Sequence, residues 1–133
     1  MHNTLPKILI VDDERSNITI LVSILKDEYK TIVAKSGEEA LKRVSTAIPP
    51  DLILLDELFS GLSLAEVAGI VPIIEKLRQE GKTIIMIEHR LKELFRIADR
   101  VLVLNYGEKI AEGQAREVME SDAVKKAYLG AEA

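Results

Sequence analysis

The chain of 133 residues has no cysteine and no tryptophan, and only 4% of its residues are aromatic. Without cysteine, a disulfide framework and thiolate chemistry are excluded. No apolar run approaches the roughly 18 residues that a membrane-spanning helix needs, and the polar start MHNTLPK is unlike a signal peptide. The net charge of −4 offers no basic surface for nucleic acid or anionic lipid. We therefore expect a soluble cytoplasmic protein that binds neither nucleic acid nor membranes.

Apolar residues make up 47% of the chain, which is enough for a substantial core. Because aromatic residues are few, that core must consist mainly of isoleucine, leucine and valine. The length is typical of one domain, so we expect residues 1–133 to form a single α/β domain.

Short apolar runs alternate with helical patterns along the chain. The predicted strands are 7–12, 29–34, 51–56, 83–87, 100–104 and 109–112. The predicted helices are 16–26, 36–47, 63–79, 90–98 and 115–129. Pro72 lies inside the third helix and is expected to kink or divide it, because its ring removes one backbone hydrogen bond.

Strands that alternate with helices indicate a parallel sheet covered by helices on both faces, which gives three layers. The last two strands flank a Tyr-Gly turn and are expected to form a hairpin, which would add an antiparallel strand at the edge of the sheet. Such an edge could pair with a second copy. We expect a monomer or a weak homodimer.

Acidic residues follow two of the predicted strands. Asp12 and Asp13 come after the first strand, and Asp56 and Glu57 come at the end of the third. If these strands are neighbours, the carboxylates converge at one edge, where ligands of such folds bind. Clusters of oxygen ligands suit Mg²⁺. The other interpretation is that some of the acids point into solvent and cap the next helix, and position alone leaves both open.

The segments ILIVDDERSN, SGEEAL and PPDLILLD have the order and spacing of a bacterial response-regulator receiver domain, which residues 1–56 resemble. The resemblance implies that Asp12 and Asp13 hold Mg²⁺ and that Asp56 accepts a phosphoryl group. It also implies a flavodoxin-like strand order, 2-1-3-4-5. The likeness ends after Asp56: Glu88 stands where a receiver has Thr or Ser, and no Lys follows the fifth strand.

The segments LLDELFSGLS, IIMIEH and ADRVLVLNYGEKIAEG resemble the C-terminal part of an ABC-transporter ATPase of the branched-chain amino-acid importer type, over residues 52–133. The resemblance implies that Asp56 serves Mg²⁺, Glu57 polarises water and His89 contacts the γ-phosphate. The sequence lacks G-x-x-x-x-G-K-[ST] and an LSGGQ-type signature, so nothing cradles a nucleotide phosphate. We therefore expect no ATP binding, and Glu57 and His89 are interpreted as vestigial.

Two interpretations of function follow. The favoured one is an engineered chimera of a receiver fragment and an ATPase fragment, joined within DLILLD, that is not an enzyme and requires no cofactor. The alternative is a residual receiver domain that binds Mg²⁺ through Asp12, Asp13 and Asp56 and accepts phosphate at Asp56. Strand order 2-1-3-4-5 would keep these three acids together. The P-loop-like order 2-3-4-1-5 would spread them along a wider rim, and we favour the first order.

Overall fold

The computed structural model describes residues 5–46, 49–59 and 61–129. The chain divides into two compact units, Met1–His89 and Arg90–Ala133. The expectation of a single domain over residues 1–133 stays a prediction.

The first unit alternates strands and helices. Its elements are β1 (Lys7–Val11), α1 (Arg15–Leu25), β2 (Lys30–Ala34), α2 (Gly37–Val44), β3 (Leu52–Asp56), α3 (Leu64–Gln79) and β4 (Thr83–Ile87). The four strands form one parallel sheet in the order β2-β1-β3-β4. The α/β class and the predicted order of the first four strands are therefore confirmed. The alternative order 2-3-4-1-5 is wrong, because β1 pairs with β3.

The central strands are apolar at nearly every position because both faces of the sheet are covered. In β1 the four residues from Ile8 to Val11 are buried, and in β3 the three residues from Ile53 to Leu55 are buried. On one face, α1 packs Leu21, Val22 and Leu25 against this core. Right-handed crossovers place α2 and α3 on the opposite face, where both helices line a groove of about 440 Å³. The predicted three layers are thus present in this unit.

Serine side chains cap the starts of α2 and α3. Ser36 Oγ accepts a hydrogen bond from the Glu39 N–H at 3.1 Å, and Ser63 Oγ accepts one from the Glu66 N–H at 3.1 Å. α2 ends at Val44, and the predicted end at residue 47 lies outside the described residues. α3 continues through Pro72, so the helix is not divided there.

The second unit is a hairpin with short helices. Its elements are α4 (Leu91–Ile97), β5 (Val101–Asn105), β6 (Glu108–Gly113), α5 (Ala115–Met119), α6 (Asp122–Val124) and a π-helical segment Lys125–Leu129. The core of the unit joins the buried valines 101 and 103 of β5 to valines 118 and 124 of α5 and α6. The single helix predicted over 115–129 is wrong, because Ser121 interrupts it and caps α6 through the Val124 N–H.

The predicted hairpin of the last two strands is confirmed: β5 pairs antiparallel with β6. The predicted place of the fifth strand next to the fourth needs correction, because β5 and β6 form their own two-stranded sheet. The turn between them explains this local pairing. Tyr106 and Gly107 both have positive φ, 50° and 79°, as in the two-residue turns that match the twist of paired strands. No helix in the part of the chain described is long and apolar enough to cross a membrane.

Candidate functional site

Asp12 is the buried acid of the sheet edge. It follows β1 directly, and only 5% of its surface is exposed. Its Oδ1 accepts a hydrogen bond from the Glu14 N–H at 2.9 Å. Its Oδ2 is buried and has no hydrogen-bond donor among the described residues. A buried carboxylate oxygen without a donor is costly, and a proton or a cation beside it would lower this cost.

Asp56 meets Asp12 because β1 and β3 are parallel neighbours. Burial is the largest cause that raises the pKa of Asp56 from 3.8 to about 6. A hydrogen bond with the Asp12 carboxyl and the negative charges of Asp12, Glu57 and Glu88 raise this pKa further. Two carboxyl groups can form a hydrogen bond only when one of them is protonated. The hydrogen bond between the two carboxyl groups is therefore present when Asp56 is protonated and is lost when Asp56 is ionised.

Asp13, the third predicted ligand of Mg²⁺, is exposed to solvent. Within residues 5–46, 49–59 and 61–129, no three His, Asp or Glu side chains are gathered closely enough to hold a metal ion. The structure thus brings Asp12 and Asp56 together without Asp13. Two carboxylates still suit Mg²⁺, which commonly binds to one or two carboxylates and keeps several waters. The unsatisfied Asp12 oxygen fits such an ion.

Glu57 and His89 lie close to each other at the rim of the same edge. His89 Nε2 is 3.4 Å from Glu57 Oε1, and the two side chains are 68% and 43% exposed. The Glu57 N–H donates to the carbonyl oxygen of Ile87 at 2.8 Å, so the backbone after β3 is tied to the end of β4. Glu57 has a φ of 51°, a conformation that costs a side chain about 1 kcal/mol or more. The two predicted vestigial residues do come together.

Glu88 has a contact that the sequence patterns did not predict. Its Oε1 accepts a hydrogen bond from the Phe59 N–H at 2.8 Å, and the Phe59 side chain is completely buried. Glu88 therefore holds the loop that follows Asp56.

The first unit thus belongs to the doubly wound parallel α/β folds, with acids at the carboxyl ends of neighbouring strands. The C-terminal residues 108–133 match the family model described as branched-chain amino acid ATP-binding cassette transporter. An uncharacterized ABC transporter ATP-binding protein of Methanocaldococcus jannaschii is 40% identical over 98 residues, which cover 73% of this chain and 36% of that protein. The lipopolysaccharide export system ATP-binding protein LptB of Escherichia coli K12 is 33% identical over 96 residues, which cover 71% of this chain and 40% of LptB. The chain spans well under half the length of these relatives.

Solved structures show likeness to two kinds of protein. An ATP-binding cassette of an ABC transporter in its ADP conformation superposes with a TM-score of 0.55 at 29% identity, covering 61% of this chain and 34% of that one. The N-terminal domain of a response regulator/sensory box/GGDEF 3-domain protein from Carboxydothermus hydrogenoformans superposes with a TM-score of 0.50 at 27% identity. The match covers 69% of this chain and 75% of that domain. The chain is therefore similar both to ABC ATPases and to a response-regulator domain, consistent with a mixed origin.

The ABC-like similarity begins earlier than predicted. A match of 98 residues is longer than the segment 52–133, so it must reach back into α2. The two resemblances therefore overlap over α2 and β3.

Proposed function

We propose that the chain is a hybrid α/β fold that joins receiver-like sequence to ABC-ATPase-like sequence and does not hydrolyse ATP. The observation that supports this most is the continuity of the sheet. β1, from the receiver-like part, pairs with β3, and β3 pairs with β4, from the ATPase-like part. An engineered recombination placed within β3 would leave both pairings intact, since both resemblances share an apolar strand that ends in Asp56.

The contacts of the ATPase-like residues support the absence of ATP hydrolysis. Glu57 and His89 face each other at 3.4 Å, and Glu88 bonds to the Phe59 N–H. Phosphoryl transfer depends on a positioned phosphate, and the sequence has no glycine-rich phosphate loop. The test is calorimetric titration of ATP with Mg²⁺ into the protein, together with an assay of phosphate release. We expect no saturable heat and no phosphate above the buffer rate. Saturable ATP binding that Glu57→Gln weakens would overturn the proposal.

A second candidate function is the binding of a divalent cation by Asp12 and Asp56. It is favoured by the buried Asp12 oxygen that lacks a donor. When bound, Mg²⁺ would neutralise the negative charges of the two carboxylates. The protein itself supplies the buried Asp12, held by the Glu14 N–H, and a half-buried Asp56 at the edge of the next strand.

Titration with Mg²⁺ tests this second candidate. We expect Asp12→Asn to abolish the binding heat and Asp13→Asn to change the affinity only slightly, because Asp13 is exposed. Beryllofluoride added to the Mg²⁺-loaded protein then asks whether a phosphoryl analogue engages Asp56. Equal Mg²⁺ affinity in the wild type and Asp12→Asn would refute the site.

A further inference from the structure

Glu88 belongs to the same sheet edge as the two aspartates. In the parallel register of β3 and β4, Asp56 lies opposite Ile87, so Glu88 follows directly beyond the end of this pairing. Its side chain is half-buried, and its Oε1 is held by the Phe59 N–H at 2.8 Å. The loop that follows Asp56 thus fixes the position of the Glu88 carboxylate.

This position adds negative charge to the edge. The negative charge of Glu88 helps to raise the pKa of Asp56. Burial is the largest cause, and Asp12 and Glu57 also contribute more than Glu88. At the rim of this edge, His89 contacts Glu57, and its side chain is 68% exposed. The buried Asp12 Oδ2 has no donor among the described residues, so a positive charge at this edge would lower the cost of its burial.

We propose that Glu88 is a specificity-determining residue that makes this edge a site for a divalent cation and excludes phosphate anions. The proposal rests on the cation-binding function proposed above. The Glu88 carboxylate acts in two ways. Its oxygen holds the loop through the Phe59 N–H, and its charge repels an anion that approaches Asp56.

The effect of the Glu88 charge can be tested separately from that of its hydrogen bond with the Phe59 N–H. Glu88→Gln keeps an acceptor oxygen for the Phe59 N–H and removes one negative charge. At a partly buried site, one unit charge a few ångström away changes the affinity of a charged ligand by roughly tenfold. Glu28→Gln is the matched control, since Glu28 is exposed and precedes β2, at the opposite edge of the parallel sheet. Both variants change the net charge of the protein equally.

The experiment measures two affinities by calorimetry for the wild type, Glu88→Gln and Glu28→Gln: that of Mg²⁺ alone, and that of inorganic phosphate added to protein in saturating Mg²⁺. We expect Glu88→Gln to bind phosphate roughly tenfold more tightly than the wild type and to bind Mg²⁺ roughly tenfold more weakly. Glu28→Gln should resemble the wild type. The amide hydrogen exchange of Phe59 reports whether the loop is kept, and Glu88→Ser removes the same charge if Glu88→Gln does not fold.

The outcomes separate the two proposals. If Glu88→Gln gains no phosphate affinity, or if Glu28→Gln gains as much, Glu88 does not determine the ligand class. If the wild type binds phosphate as tightly as Glu88→Gln, the Glu88 charge does not exclude phosphate and the inference is overturned. If no protein binds Mg²⁺ but Glu88→Gln still gains phosphate binding, the anion exclusion by Glu88 stands and the cation-binding function fails.

Discussion

The paired carboxyl groups of Asp12 and Asp56 make the stability of the protein depend on pH. The pKa of Asp56 is raised from 3.8 to about 6 in the folded state, first by burial and then by Asp12. The folded state therefore holds this proton more tightly than the unfolded state. The stabilisation due to protonation is fully present below about pH 4 and is lost as the pH rises through about 6. Asp56→Asn carries no charge and should escape this loss.

The expected size of the effect follows from the shift. One pKa unit corresponds to about 1.4 kcal/mol, so the full shift would give about 3 kcal/mol. Asp56 is only partly buried, and solvent screening reduces the expected gain of Asp56→Asn at pH 7.5 to about 1–2 kcal/mol. The side-chain amide introduced by Asp56→Asn could also donate a hydrogen bond to the Asp12 carboxylate, which ionised Asp56 cannot do.

The assay is urea denaturation followed by far-UV circular dichroism, in buffers with a chelator, from about pH 5 to about pH 7.5. The gain in unfolding free energy of Asp56→Asn over the wild type should be small at the acid end and should grow across this range. Asp27→Asn is the control, because Asp27 is exposed and precedes β2 at the opposite edge of the sheet. A gain that is the same at both ends of the range would refute the raised pKa of Asp56 in the folded state.

Three further predictions concern stability. Phe59→Ala should lower the unfolding free energy in urea by about 3–5 kcal/mol, because the side chain is completely buried; a loss below about 1 kcal/mol would contradict this. Ser63→Ala should cost about 1 kcal/mol in the same assay, because its hydroxyl caps α3 through the Glu66 N–H, whereas Ser23→Ala within α1 should cost less. Tyr106→Asn should raise the unfolding free energy by up to about 1 kcal/mol and so raise the thermal midpoint, because Tyr106 has positive φ and is 99% exposed. A lower midpoint would show that the tyrosine side chain makes a stabilising contact.

The central strands and two of the helix starts were predictable because their sequence patterns are typical of one kind of secondary structure. β1 and β3 are apolar on both faces, which is typical of buried parallel strands, and Ser36 and Ser63 mark helix starts by their hydroxyl groups. The pairing of β1 with β3 was favoured on the receiver resemblance, since apolar patterns fit both orders considered. The sequence did not show whether β5 would join the parallel sheet. Buried and exposed residues alternate along β5, and this pattern suits a hairpin as well as a larger sheet.

The candidate site was predictable in part. Asp12 and Asp56 were expected to meet because both follow strands that could be neighbours, and they do so. The sequence did not show that Asp13 would be exposed, because side-chain direction after a strand depends on the loop that follows. It also did not show the bond from the Phe59 N–H to Glu88, which links residues 29 positions apart. Such contacts between a backbone group and a distant side chain leave no periodic pattern.

The pairing pattern of the first sheet also bears on how the protein moves. β1 is hydrogen-bonded on both sides, to β2 and β3, and β3 is hydrogen-bonded to β1 and β4. Their amide hydrogens can reach solvent only if a whole neighbouring strand separates, whereas β2 has a paired strand on one side only within the described sheet. β3, which both resemblances include, therefore lies in the part of the unit that we expect to open last. Local fluctuations would loosen the outer elements of the unit while β1 and β3 stay paired.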